Sequence, residues 1–232
     1  MNIVASHSVN AGTRSNSTTC RETPDYCYHS GVANPIDSSL LRGLRTVFID
    51  RDGVLNEKLP EGHYVTRWSE FHILTGVAEA IGRLNRAGAR VVVVSNQRGI
   101  SLGLYTASDV RAIHSEFQSL LKTQDAHVDA FYFCPHGKRQ CNCRKPLPGL
   151  FEQAVAEFPE IAAQTSIMIG DSLSDIEFGR RLGMPTVFIA GNMERRKPRA
   201  EAASELADLR FSNLSEAVDA LLAGLSPANR QD

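Results

Sequence analysis

Two carboxylates one residue apart, Asp50-Arg51-Asp52-Gly53, follow directly on the β-rich run Thr46-Val-Phe-Ile. With Gly53 permitting a sharp turn, that spacing suits metal binding, or a nucleophile working beside a general acid/base. An ordinary Asp-Gly turn and a calcium loop are the competing readings. The EF-hand pattern fails here, because its glycine belongs at the sixth loop position and a glutamate at the twelfth. A second acidic cluster, Asp171 and Asp175 in Gly170-Asp171-Ser172-Leu173-Ser174-Asp175, follows the apolar run that ends at Ile169. Asp175 alone reads as a helix-start charge, favourable against the helix dipole. Asp171, placed directly after a buried run, is less easily explained that way. Ser95-Asn96-Gln97 closes a run of valines and offers a hydroxyl, an amide and backbone N–H groups to an anion, while Arg144-Lys145-Pro146 supplies fixed positive charge.

A third constellation is Cys134-Pro-His136-Gly-Lys-Arg-Gln-Cys141-Asn-Cys143. Three thiols and an imidazole in one hydrophilic loop match a tetrahedral Cys3His zinc site, against the alternative of a chance crowd of free cysteines. Four protein ligands leave no open coordination position, so the expected Zn2+ is structural and pins the loop just before Arg144 and Lys145. Cys20 and Cys27 are left over in the N-terminal segment.

Strand and helix signals alternate from Arg45 onward. Strands are expected at 46–50, 90–95, 130–134, 165–170 and 185–190, and helices at 106–122, 150–158, 175–182, 200–207 and 214–223, with Val77, Ile81 and Leu84 marking another helix face. Thr106 and Asp109 are spaced as a capping box, and Val110, Ile113, Phe117, Leu120 and Leu121 form a packing stripe. Alternation of this kind predicts an α/β domain with a mostly parallel sheet, helices on both faces and right-handed crossovers. In such sheets ligands bind beyond the carboxyl ends of the strands, where Asp50, Ser95, Cys134 and Gly170-Asp171 fall. The stretch between Gly53 and Val77 is too short for an inserted cap domain, so an open site rimmed by loops 54–67, 98–105 and 135–144 is expected.

The 232 residues carry 25 Lys plus Arg against 26 Asp plus Glu, a formal charge of −1, with 42% hydrophobic and 22% charged residues. That balance describes a globular chain and argues against a nucleic-acid or membrane-surface binder, though not against a small anionic substrate. Residues 1–44 are expected to be a disordered tail, because the Ser/Thr/Asn-rich start lacks the apolar residues to offset its ordering entropy. The tail has no apolar core of a secretory signal, which points to a cytoplasmic protein. Residues 45–232 are expected to form one domain, monomeric by default.

Taken in chain order, Asp50-x-Asp52, Ser95, Lys145 and Asp171 with Asp175 resemble the motifs of the haloacid dehalogenase (HAD) superfamily of phosphatases, with its Rossmann-like fold. The resemblance implies that Asp50 is the nucleophile that becomes an aspartyl-phosphate, and that Asp52 protonates the leaving alcohol and then activates water. It implies Mg2+ held by Asp50, the backbone carbonyl of Asp52 and Asp171, with Asp175 supporting, and phosphoryl oxygens held by Ser95 and Lys145. The cysteine loop followed by Arg-Lys-Pro is similar to the branch that holds heptose-bisphosphate and histidinol-phosphate phosphatases. Asp52-Gly-Val-Leu-Asn56, Gly62-His-Tyr-Val65 and Asn96-Gln97 favour the heptose side, with Asn56, Asn96 and Arg144 as further substrate contacts. A small phosphorylated sugar is then the expected substrate. Histidinol phosphate, its ammonium met by Glu57 and Glu61, is the alternative. A non-catalytic zinc-loop module using Lys138, Arg139, Arg144 and the basic run 195–199 is the distant one.

Overall fold

A computed structural model of the chain describes residues 43–192, 194 and 198–225. The expected disordered tail, with Cys20 and Cys27, lies outside the described residues except for Gly43 and Leu44, as do positions 195–197 of the basic run.

Val91, Val92, Val93 and Val94 are fully buried, which is why so uninterrupted a β-branched run can be a strand: both of its faces are covered. Burial of each such side chain contributes about 1.5–3 kcal/mol. This run is β2 (Arg90–Asn96), and it lies beside β1 (Thr46–Ile49) and β3 (Ala130–Cys134). With β4 (Ser166–Gly170), β5 (Thr186–Ile189) and β6 (Leu209–Phe211) they form one sheet in the order β3-β2-β1-β4-β5-β6, and every described pairing is parallel.

Alternate strand residues face opposite ways. Val47, Ile49, Val93, Ile167 and Ile169 pack with α1 (Val77–Arg86), α2 (Ala107–Lys122) and α6 (Leu214–Leu225) on one side of the sheet. Phe48, Val92, Val94 and Met168 pack with α3 (Gly149–Glu157) and α4 (Leu173–Leu182) on the other. There α5 (Ala200–Leu206) joins α4 through Ala200 and Ala203. The capping box of α2 forms in full: the Asp109 amide donates to Thr106 Oγ1, and Asp109 Oδ2 accepts from the Thr106 amide. Leu120 departs from the expected packing stripe, being only half-buried, and His114 takes an inward position on that face.

Two further differences concern the sheet and its helices. β6 was not expected, and α4 starts at Leu173, two residues before Asp175. No domain is inserted between β1 and α1 among the described residues. Only a short helical turn, Trp68–Glu70, interrupts that loop.

The strand order fixes where a ligand can sit. From β1 the chain moves to β2 and β3 on one side, then returns to β4 on the other. The crevice at this reversal opens beyond the carboxyl ends of β1 and β4, where helices on opposite faces diverge. Register levels those ends: Ile49 pairs with Val93 and with Ile169, and the Asp50 amide donates to Ile169 O at 2.9 Å.

Candidate active site

Asp50, at the end of β1, is buried, and so are Asp171 and Asp175 at the end of β4 and in the first turn of α4. Their carboxylate oxygens approach within 4.8 Å of one another. Three such charges cannot share a buried space without cations. One cation is Lys145, itself buried, whose Nζ lies 2.9 Å from Asp50 Oδ1 and 2.6 Å from Asp175 Oδ1 and donates to Val94 O at 2.6 Å. Burial opposes the lysine's charge, but Asp175 and then Asp50 outweigh it and raise the Lys145 pKa. A second cation is Lys58, 3.0 Å from Asp171 Oδ2. The all-oxygen donor set of Asp50, Asp171 and Asp175 fits a hard divalent ion such as Mg2+.

Local backbone explains how the carboxylates reach one point. Gly53 has φ +102°, and a Cβ there would lie 2.3 Å from Asp171 Oδ2. Asp175 Oδ2 accepts from the Ser172 amide and hydroxyl, which caps α4 and leaves Oδ1 facing Lys145. A cleft of about 140 Å3, lined by Gly53, Glu57, Lys58, Asp171, Gly191 and Asn192 among others, opens beside Asp171.

Asp52 is only partly buried and is gripped from several directions. Arg51 Nη2 donates to both of its oxygens at 2.9 Å, Gln97 Nε2 to Oδ2 at 2.9 Å, and Asn56 Nδ2 to Oδ1 at 3.1 Å. Burial pushes the Asp52 pKa up, but the charge and hydrogen bonds of Arg51 outweigh it, so the group is held below its ordinary value. Arg51 is 1% exposed, with its guanidinium 5.8 Å from the centre of the Phe71 ring. Its carbonyl accepts from the amides of Val54, Leu55 and Asn56, which curls the loop back under Asp52.

Ser95, at the end of β2, is buried and accepts from Gln97 Nε2 at 2.6 Å. Asn96, expected to contact substrate, turns to the Lys145 backbone: its Oδ1 accepts from Lys145 N at 3.0 Å and its Nδ2 donates to Lys145 O at 3.1 Å. Asn56, also expected to contact substrate, is fully buried and reaches Asp52 and the Glu57 carbonyl. Arg144 is half-buried and places Nη1 3.4 Å from His136 O.

Cys134, His136, Cys141 and Cys143 converge at the end of β3. Cys134 Sγ is 3.5 Å from Cys141 Sγ, which is 3.3 Å from Cys143 Sγ. His136 Nδ1 is 3.3 Å from Cys143 Sγ and 3.8 Å from Cys134 Sγ. A tetrahedral zinc with Zn–S of about 2.3 Å and Zn–N of about 2.0 Å needs donor separations on the order of 3.5–3.8 Å, so the four donors fit that ion. Gly149 lets α3 close on the loop, since a Cβ there would lie 2.8 Å from Asn142 O and Cys143 Cα.

Arg51, Lys58, Gln97 and Tyr105, whose hydroxyl donates to Gln97 Oε1 at 2.7 Å, were missed as members of the site. A charged residue between two aspartates reads as solvated surface, and nothing local to Lys58 or Tyr105 reveals its distant partner. Gln97 directly follows Ser95-Asn96, where its type alone carries no direction.

The HAD-hydrolase-like family model matches residues 142–217. A D-glycero-alpha-D-manno-heptose-1,7-bisphosphate 7-phosphatase of Mycobacterium tuberculosis (strain CDC 1551 / Oshkosh) is 41% identical over 137 residues, 59% of this chain and 72% of the relative. A D-glycero-beta-D-manno-heptose-1,7-bisphosphate 7-phosphatase of Rhodopseudomonas palustris is 37% identical over 146 residues, 60% of this chain and 79% of the relative. Among solved structures, the D,D-heptose 1,7-bisphosphate phosphatase of B. bronchiseptica, complexed with magnesium and phosphate, superposes with a TM-score of 0.67 at 27% identity, covering 78% of this chain and 99% of that one. The parallel sheet with its carboxylates at the reversal point and these relatives agree: the chain is a phosphatase of the HAD-like hydrolases and belongs to the heptose-1,7-bisphosphate 7-phosphatase family.

Proposed function

We propose that residues 45–232 form a Mg2+-dependent phosphomonoesterase that removes the 7-phosphate from a heptose 1,7-bisphosphate through a phosphorylated Asp50. The observation that carries this reading is the Lys145 ammonium 2.9 Å from Asp50, inside a ring of three buried carboxylates at the sheet's reversal point. The names of the relatives support the substrate.

Asp50, Asp171 and the backbone carbonyl of Asp52 would hold Mg2+, with Asp175 supporting. Bound there, the ion offsets phosphate charge and polarises the phosphoryl group. The chain's own residues do the rest. Lys145 and the Ser95 hydroxyl receive the phosphoryl oxygens, and Lys145 reduces the repulsion between a dianionic ester and an attacking carboxylate. An Asp50 oxygen bonds to phosphorus as the ester oxygen leaves, and that oxygen takes a proton from Asp52. Asp52 then removes a proton from water, which attacks phosphorus and frees Asp50. Asp52 rests as the carboxylate; an arriving phosphate dianion raises its proton affinity, and the proton it takes up from solvent is the one given to the ester oxygen. That transfer regenerates the carboxylate the second step needs, and the proton then taken from water is released to solvent.

Cys134, His136, Cys141 and Cys143 would hold a structural Zn2+ that fixes the loop carrying Arg144. Arg144, beside the His136 carbonyl, would grip the retained phosphate. The test is phosphate release with Mg2+ from both anomers of heptose 1,7-bisphosphate, fructose 1,6-bisphosphate, histidinol phosphate and a 3′-phosphorylated oligonucleotide. The heptose esters should turn over best. Preference for histidinol phosphate would overturn the substrate, and turnover of none would overturn the reading.

A further inference from the structure

Gln97 lies between two groups that the proposed reaction uses. Its Nε2 donates to Asp52 Oδ2 at 2.9 Å and to Ser95 Oγ at 2.6 Å, so one amide nitrogen ties the acid/base carboxylate to the hydroxyl that receives phosphate. A glutamine amide can face either way, and the direction is set by what its oxygen meets. Here Oε1 accepts from the Tyr105 hydroxyl at 2.7 Å and from Arg51 Nη2 at 3.3 Å. Arg51 can only donate and the Asp52 carboxylate can only accept, so a flipped amide would aim an N–H at Arg51 and its oxygen at Asp52. The Tyr105 hydroxyl, kept protonated because burial, ahead of its charged neighbours, pushes its pKa up to about 12, donates to Oε1 and adds a second hold on that oxygen.

Apart from the partly buried Asp52, the network is closed to solvent. Gln97 is 2% exposed, Ser95 and Arg51 1%, and Tyr105 6%. Tyr105 is held in turn by Gly99, where a Cβ would fall 2.1 Å from its ring. Because Ser95 Oγ accepts from Gln97 Nε2, its own proton is left to donate elsewhere, and a phosphoryl oxygen is an acceptor for it.

We infer that Gln97 is a positioning residue for both Asp52 and Ser95, and that the Tyr105 hydroxyl holds the amide oxygen so that Nε2 stays aligned on both. This rests on the phosphatase reading with Asp52 as proton donor. A nitrophenolate leaves without being protonated, whereas a sugar alkoxide cannot. A misaligned Asp52 therefore lowers kcat/KM for an alkyl phosphate more than for nitrophenyl phosphate.

The experiment compares wild type, Tyr105→Phe and Gln97→Met on heptose 1,7-bisphosphate and nitrophenyl phosphate, with thermal melts of each protein. The ratio of the two kcat/KM values should fall about tenfold or more in Tyr105→Phe and further in Gln97→Met. A ratio equal to wild type in Tyr105→Phe, whether both esters slow together or neither does, overturns the inference. Wild type inactive on both esters would instead overturn the phosphatase reading beneath it. If Gln97→Met melts early, Tyr105→Phe, which removes a single hydroxyl, carries the decision.

Discussion

The Lys145 ammonium lies 2.9 Å from the Asp50 carboxylate, and both side chains are buried although 95 positions separate them in the chain. Lys145→Met would leave Asp50 and Asp175 charged and buried without that cation. Stability should fall by about 3–5 kcal/mol in metal-free buffer, read by urea denaturation, and Mg2+ should restore part of it. Turnover should fall at least about a hundredfold, because phosphoryl charge loses its fixed counter-ion. An unchanged denaturation midpoint without metal would contradict the arrangement.

Gly53 and Asp171 share one space. In Gly53→Ala the new Cβ would meet Asp171 Oδ2 at 2.3 Å and adopt φ +102°. Strain of about 1–3 kcal/mol is expected, with Asp171 displaced. Calorimetric titration should show Mg2+ binding weakened about tenfold or more. Wild-type affinity would mean that Asp171 does not ligate the ion.

His114 is buried against Phe131, at a ring distance of 4.5 Å, and burial lowers its pKa to about 3. Unfolded, a histidine titrates near about 6.5. Below that pH the unfolded chain takes up a proton that the folded chain refuses. Stability is therefore unaffected by His114 above about pH 6.5 and falls as pH drops toward 3, by up to about 1.4 kcal/mol per unit. Denaturation midpoints between pH 7 and 5 should decline less steeply in His114→Leu. Parallel slopes would contradict the assignment.

Cys141→Ser should abolish the one zinc per chain expected by elemental analysis. Because Arg144 and Lys145 follow the loop directly, it should also lower turnover about tenfold or more. Loss of zinc with full turnover would separate the loop from catalysis.

The sequence made the strand-end carboxylates legible because a buried β-run leaves its last polar residue at the sheet's carboxyl edge. Asp50, Asp171 and Cys134 all follow or close such runs. The capping box at Thr106 was legible for a similar reason, since its two hydrogen bonds span three residues. β6 was not, because Leu209 and Phe211 are only half-buried and Arg210 is exposed, so three residues at the sheet edge leave no periodic trace. Asn56 and Asn96 carried chemistry in the sequence but no direction. Only the tertiary fold turns one toward Asp52 and the other toward the Lys145 backbone. Arg51 reads as surface until the loop curls over it.

The most direct test follows heptose 1,7-bisphosphate by phosphorus NMR with wild type and Asp50→Asn in the presence of Mg2+. Wild type should release one phosphate, from C7, with the C1 phosphate retained, and the folded variant should release none. Undiminished release by Asp50→Asn, or release from C1 first, would contradict the proposed reaction.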